Sequence, residues 1–116
     1  MSARKSVFCK RTDSGLYHTA MSLSLQNLQN YVRGYIEIVP VGTFLGQQVV
    51  MVCNEEGKIR GDILKNFWWD NEEIGILDCI YGDVLFCSRK GEDLAELVGP
   101  KKAFKTWLLE QGLEVD

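Results

Sequence analysis

The feature that most constrains the fold is the apolar run Val49–Cys53, which stops at Asn54 and is followed by Gly57. Five consecutive apolar residues that end in an Asn- and Gly-containing cluster are typical of a strand running into a tight turn. We therefore predict a hairpin whose first strand is Val49–Cys53 and whose short second strand is Lys58–Arg60. The turn between them carries two adjacent glutamates, so it is polar and charged.

Size and composition indicate one globular domain. The chain has 116 residues, of which 46% are apolar and 25% are charged. A domain of this size buries about two thirds of its unfolded surface, so it can fold without disulfides or a metal. We interpret residues 1–116 as a single domain. Its cysteines are Cys9, Cys53, Cys79 and Cys87. None forms a CxxC pair, so we interpret them as reduced thiols in the core, not as metal ligands.

Charge and hydropathy argue against several classes of function. The formal net charge is −3, which disfavours broad contact with phosphate backbones and hence direct binding of nucleic acid. No apolar run approaches the ~20 residues of a membrane span, and the basic N-terminus leads into no apolar signal segment. The default expectation is a cytoplasmic protein with no membrane contact.

Alternation and turn residues predict the other strands. Ser6–Arg11 and Leu16–Met21 flank a Thr-Asp-Ser-Gly turn and should form a first hairpin. We place Ser6–Arg11 at the edge of the sheet, where it could pair two chains into a homodimer. Tyr35–Val41 should be a further strand, ended or kept at an edge by its proline. Cys79–Ser88 is interpreted as one strand with a bulge at Gly82.

Helical periodicity predicts two helices. Apolar residues at i, i+3 and i+7 from Leu25 share one face of a helix that follows a capping serine and ends at Gly34. Similar spacing from Phe104 predicts a second helix, which opens at Pro100 and stops at Gly112.

Two short segments, Asp62–Asn66 and Asp93–Val98, are interpreted as brief helical pieces. All these elements together predict an α+β fold. We expect a mainly antiparallel sheet of about five or six strands, packed by two α-helices.

Catalysis has little support among the side chains. His18 is the only histidine, and neither a nucleophile elbow nor a nucleotide-phosphate motif accompanies it. Adjacent acids occur at Glu55-Glu56, Glu72-Glu73 and Glu92-Asp93, but neighbouring acids in turns are usually solvated. A Mg²⁺ site that joins the first pair to Asp83 has no other feature in its favour. We predict no catalytic residue, no cofactor and no metal.

A binding surface is predicted where aromatic residues meet acids. Phe67, Trp68 and Trp69 are followed closely by Glu72 and Glu73. Successive side chains of an extended segment point to opposite faces, so one tryptophan should be buried and the other exposed. An exposed tryptophan beside charges is typical of a protein interface, and we assign these five residues to partner binding. The alternative is that both tryptophans pack under neighbouring loops.

Lys101 and Lys102 form a second, weaker candidate site. They lie at the predicted start of the second helix, where the helix dipole favours an anion. We assign them to anion binding. The alternative is that both side chains extend into water and that the helix tolerates them.

Three blocks of the chain resemble a known family. They are Leu25-x-x-Leu28-Gln29-x-x-Val32-x-Gly34-Tyr35-Ile36-Glu37, then Asn54-Glu55-Glu56-Gly57-Lys58 with Gly61 and Asn66, then Ile80-x-Gly82-Asp83-Val84-Leu85. Their order is similar to that in a family of small uncharacterised proteins, a domain of unknown function encoded by phages, prophages and conjugative elements. The family tends to have paired glycines where this chain has Arg33-Gly34, and it lacks the aromatic segment. It has no established activity, so the resemblance implies a genomic setting and no mechanism.

We therefore expect a non-catalytic accessory protein of a phage or mobile element that binds a host protein in the bacterial cytoplasm. The leading hypothesis is inhibition of a host defence system, such as a CRISPR effector nuclease, in the manner of an anti-CRISPR protein. The alternative is a binder or sponge of a small anionic ligand, such as a nucleotide immune signal, held by Lys101 and Lys102. A small enzyme of unfamiliar type is the third hypothesis.

Overall fold

The computed structural model describes residues 3–71 and 76–115. Its elements are β1 (Arg4–Lys10), β2 (Leu16–Ser22), α1 (Leu25–Val32), β3 (Ile36–Phe44), β4 (Gln47–Asn54), β5 (Lys65–Asn71), β6 (Ile76–Tyr81), β7 (Val84–Lys90), β8 (Asp93–Ala95) and α2 (Lys101–Glu110). The main sheet is antiparallel in the order β2-β1-β7-β4-β3, with β8 beside β7, and β5 pairs with β6 in a separate small sheet. The predicted α+β class is confirmed.

The centre of the main sheet is buried on both faces. Val49–Asn54 of β4 and Val84–Ser88 of β7 contain only buried residues, which is the environment that continuous apolar runs favour. Leu28 and Val32 of α1 pack on one face. Phe104 of α2 packs on the other face, together with the β5–β6 sheet. Three layers result, and alternate residues of each central strand serve opposite faces.

The predicted hairpin is wrong in its second strand. Val49–Cys53 does lie in a strand, but the neighbours of β4 are β3 and β7. Residues 55–59 form consecutive turns, so Lys58–Arg60 is not a strand. Gly57 is buried, and a Cβ there would lie 3.1 Å from the Cβ of Tyr81. The turn therefore packs against β6 instead of extending into a strand beside β4.

The predicted edge strand is an interior strand. β1 lies between β2 and β7: the whole strand pairs with β2, and Phe8–Lys10 also pair with β7. The predicted edge position of Ser6–Arg11 is therefore wrong, while the homodimer stays a prediction. The first and last strands in the order of the main sheet are β2 and β3. Pro40 lies in β3, at a register shift, as its missing N–H favours.

Three other segments also differ from their predictions. Cys79–Ser88 is not one strand, because Gly82 adopts φ 82° and separates β6 from β7, which belong to different sheets. The segments predicted as short helical pieces instead contribute to strands β5 and β8. Strand pairing overrides the local helical signal in these segments, because β5 pairs with β6 and β8 pairs with β7.

The two helices form as predicted, with one change at an end. Ser24 is the N-cap of α1, and its Oγ accepts the backbone N–H of Asn27 at 3.3 Å. Arg33, and not Gly34, takes the left-handed conformation after the helix, with φ 65° and ψ 41°. Gly112 follows α2 with φ 90°. None of the helices in the described part of the chain is long and apolar enough to cross a membrane.

Candidate binding site between the two sheets

A groove lies where the small sheet meets the edge of the main sheet, and we call it the inter-sheet groove. Its volume is about 490 Å³, within the range of small-molecule and anchor sites. Apolar side chains of both sheets line it, namely Val39, Met51, Cys53, Trp69 and Ile80. The groove therefore offers a hydrophobic surface to an apolar group.

The rim of the groove is acidic. Four carboxylates and one ammonium line it, from Glu37, Glu55, Glu56, Asp78 and Lys58. Lys58 forms an ion pair with Asp78, but both side chains stay substantially exposed, so the pair adds little stability. The other three carboxylates leave the rim with an excess of negative charge.

The turn after β4 forms one wall of the groove, and Asn54 holds it in place. The buried Asn54 amide donates to the carbonyl of Val32 at 3.0 Å, which joins the turn to the end of α1. Its Oδ1 accepts the backbone N–H of Glu56 at 2.7 Å. The turn presents Ile59, 83% exposed, at the groove. The sequence predicted this turn but not the groove beside it.

The structure separates the three aromatic residues predicted to bind a partner. Phe67 is buried in the core, where a partner cannot reach it, so it leaves the candidate surface. Trp69 is half-buried and lines the groove, and its Nε1 donates to the carbonyl of Gln111 at 3.1 Å. Trp68 is 44% exposed. Period-two alternation predicted this separation, since neighbours on β5 point to opposite faces.

Neither of the acids that were predicted to accompany the aromatic residues is among the residues that the structure describes. Glu72 and Glu73 lie outside the described residues. The acids that do lie near Trp69 come from elsewhere in the chain, and they include Glu55 and Glu56 of the turn. Sequence proximity therefore suggested an aromatic–acidic surface, while tertiary contacts supply different acids.

The residues considered for catalysis do not converge. His18 is exposed on β2, with its ring centroid 4.8 Å from that of Phe8. Asp83 accepts the backbone N–H of Thr12 at 3.0 Å and is not part of the groove. Across residues 3–71 and 76–115 no three His, Cys, Asp or Glu side chains are arranged to hold a metal ion.

The four cysteines are buried and free, as the sequence predicted. Burial, assisted by Glu37, raises the pKa of the Cys53 thiol to about 12. Burial alone raises the pKa of Cys87 to about 12, and burial also raises that of Cys9. A thiol with such a pKa is protonated at neutral pH and is a poor nucleophile. Cys53 therefore serves the groove as an apolar wall.

The lysines predicted to bind an anion are both exposed at the start of α2. Lys102 borders a shallow depression beside Leu45 and Trp107, and no second cation lines it. Within the described part of the chain, neither lysine side chain is held in place by a hydrogen bond.

Residues of the blocks that resemble a known family mainly hold the two sheets together. Asn66 donates to the carbonyls of Lys10 at 2.9 Å and Gly82 at 2.8 Å, and its Oδ1 accepts from the Lys10 ammonium at 3.0 Å. These bonds join β5 to β1 and to the break before β7. Asn54 and Gly57 hold the turn in the same way, so these residues have structural roles.

Comparison with known proteins agrees with the resemblance. A family model described as a domain of unknown function (DUF3846) matches residues 6–107, a span from β1 into α2. No curated protein and no solved structure matches the chain.

Proposed function

We propose that this chain, which belongs to the DUF3846 family, acts by binding another protein through the inter-sheet groove. One observation carries the proposal: an apolar floor lies inside an acidic rim, with the exposed Ile59 beside it. Apolar anchors that fill a pocket supply most of the affinity of protein interfaces, and complementary charge at the rim selects the partner.

The groove is suited to an anchor because its aromatic wall is already fixed. The indole N–H of Trp69 is satisfied by the Gln111 carbonyl, so its ring faces the groove without an unmet hydrogen bond. A rigid apolar wall loses little conformational entropy when a partner side chain packs on it.

Charge complementarity defines the segment that we propose as the occupant. The excess of carboxylates at the rim favours a partner segment in which Lys or Arg flank one apolar side chain. Basic segments of this kind are common on proteins that bind nucleic acid. A host defence nuclease has such a surface, and we propose that the protein inhibits a partner of that class, such as a CRISPR effector.

Phage or mobile-element origin and action in the bacterial cytoplasm belong to the same proposal. They are supported by the resemblance of the Leu25–Glu37, Asn54–Lys58 and Ile80–Leu85 blocks. We propose binding, and no catalytic step, as the activity of the chain. Binding of a small anionic ligand by Lys101 and Lys102 stays the alternative proposal, and both side chains are exposed at the start of α2.

A selection from a library of random peptides of about 12 residues tests the groove directly. The enriched peptides should carry an apolar residue flanked by Lys or Arg, and they should change the fluorescence of Trp69. Ile59→Arg and Glu37→Lys should each weaken binding about tenfold, a loss of about 1.4 kcal/mol, because they repel a basic segment. Binding should also weaken as salt rises.

Leu64→Arg is the matched control, since Leu64 is 70% exposed and does not line the groove. Peptides without basic residues, or equal affinity of the Ile59→Arg and Leu64→Arg variants, would show that the groove is not the binding site. In cells with an active CRISPR system, the wild-type chain should restore the survival of a targeted plasmid. The Ile59→Arg variant should fail to restore it. If the targeted plasmid is lost even when the wild-type protein is present, a CRISPR effector is not the partner.

A further inference from the structure

A second cavity lies at the C-terminal end of α1, on the opposite side of the turn that follows β4. Its volume is about 490 Å³, again within the range of ligand sites. Unlike the inter-sheet groove, its lining is polar and includes Gln26, Asn30, Arg33, Tyr35, Glu56 and Arg60. We call this cavity the Arg33 pocket.

Two guanidinium groups with different surroundings meet at this pocket. Arg60 is held in place, because its Nη1 donates to the carbonyl of Arg33 at 2.8 Å and its Nε and Nη2 donate to the two carboxylate oxygens of Asp62. The Arg33 guanidinium makes no hydrogen bond or ion pair within residues 3–71 and 76–115. The hydrogen bond from Arg60 and, less strongly, the charge of Arg33 lower the pKa of Asp62. The donors of Arg33 are therefore available for an anion, whereas the charge of Arg60 is already paired with Asp62.

The backbone at Arg33 is also unusual. Its left-handed conformation is disfavoured for any residue with a Cβ, and glycine is the residue that usually occupies it after a helix. Gly34 follows directly and could take this conformation without a steric penalty. Retention of an arginine in an unfavourable backbone conformation is expected where its side chain serves a site.

The rest of the lining fits a planar polar group. The Tyr35 ring is 68% exposed at the pocket, so one face is open for stacking. Gln26 donates to the Oδ1 of Asn30 at 3.0 Å, which leaves the Gln26 carbonyl and the Asn30 amide N–H groups for a ligand. The Glu56 carboxylate can accept from a hydroxyl or an amino group.

From these observations we propose that the Arg33 pocket binds a nucleoside phosphate. Arg33 binds the phosphate and Tyr35 stacks on the base, while the amides and Glu56 add hydrogen bonds to the ribose and the base edge that do not depend on Tyr35. This site shares Asn54 and Glu56 with the inter-sheet groove but has Arg33 and Tyr35 of its own, and it uses neither Lys101 nor Lys102. It therefore assigns the chain a ligand in addition to a protein partner.

Calorimetric titration with AMP, GMP, CMP and UMP, with their uncharged nucleosides and with inorganic phosphate tests the assignment. At least one monophosphate should bind with a Kd below about 1 mM, and more tightly than its nucleoside or phosphate alone. Arg33→Gly should lower that affinity at least about tenfold while raising the melting temperature, because it removes the charge and relieves the backbone. A purely structural arginine would change only the melting temperature.

Two further variants separate the parts of the site. Tyr35→Ala should weaken monophosphate binding and leave phosphate binding unchanged, since only the base stacks on the ring. Arg89→Ala, an exposed arginine outside the pocket, should bind as the wild type does. The proposal is overturned if no monophosphate binds below the millimolar range, or if Arg33→Gly and Arg89→Ala bind it equally.

Discussion

Asn54 connects α1, β4 and the turn that borders both cavities, so Asn54→Ala is the most informative single change. Its amide donates to the Val32 carbonyl and its Oδ1 accepts the Glu56 N–H. Alanine removes both bonds without adding bulk. It leaves the Val32 carbonyl without its side-chain donor in a buried setting, while the Glu56 N–H at the exposed turn can find water.

The loss can be estimated from these contacts. A buried group left unsatisfied costs about 1–3 kcal/mol, and the second hydrogen bond is worth about 1 kcal/mol net. We expect the free energy of unfolding to fall by about 2–3 kcal/mol. With a urea dependence of about 1.3 kcal/mol per molar, the midpoint of unfolding should fall by about 2 M.

Urea unfolding followed by circular dichroism measures this change, and Asn30→Ala is the matched control. Asn30 is exposed on α1, and its side chain accepts only from Gln26, so its replacement should change stability by less than about 0.5 kcal/mol. Equal stability of the two variants would refute the role assigned to Asn54. Peptide affinity at the groove and nucleotide affinity at the Arg33 pocket should both fall in Asn54→Ala, because one turn borders both cavities.

Three more predictions concern stability. Gly112→Ala should lower the free energy of unfolding by about 3 kcal/mol or more in urea titrations, because a Cβ there would clash with the Asp70 carbonyl oxygen and φ is 90°; an unchanged midpoint would contradict the close approach. Ser24→Ala should cost about 1 kcal/mol by the same measurement, since it removes the cap of α1, and a loss below about 0.3 kcal/mol would deny the cap a role. The thiols of Cys53 and Cys87 have a folded pKa of about 12 against the usual 9.0, so their stabilising effect is complete below pH 9 and decreases as pH rises towards 12. Between pH 9 and 12, each thiol should lower the free energy of unfolding by about 1.4 kcal/mol per pH unit. Cys87→Ala should therefore reduce the slope of that free energy against pH by the same amount, which corresponds to about one proton. An unchanged slope would show that the thiol ionises equally in the folded and unfolded states.

Local sequence patterns predicted the helices and the fold class because those signals are short in range. The spacing of Leu28 and Val32 places them on one face of α1, and both are buried against the sheet. The caps at Ser24 and Gly112 act within one turn of their helices. The run Val49–Cys53 predicted a strand, and in the structure this part of β4 is covered on both faces, which keeps its apolar side chains from water.

The sites required contacts that no spacing encodes. Gly57 packs against Tyr81, a residue of another sheet, and this contact turns the chain away from the hairpin that its local pattern favoured. The Trp69 indole is fixed by the carbonyl of Gln111 beyond α2, and the Arg33 pocket forms where Arg60 reaches back to the end of α1. An aromatic and acidic surface could be predicted near Trp69, but its acids could not.

The sequence by itself therefore determined the two helices, the strands β1 to β4 and the position of the polar turn after β4. Tertiary structure alone decided that β1 is interior, that Gly82 divides two strands between two sheets, and that this turn separates an apolar groove from a polar pocket. The physical reason is the distance along the chain over which each kind of interaction acts. Periodicity and capping act over a few residues, whereas strand neighbours and cavities depend on which distant surfaces pack together.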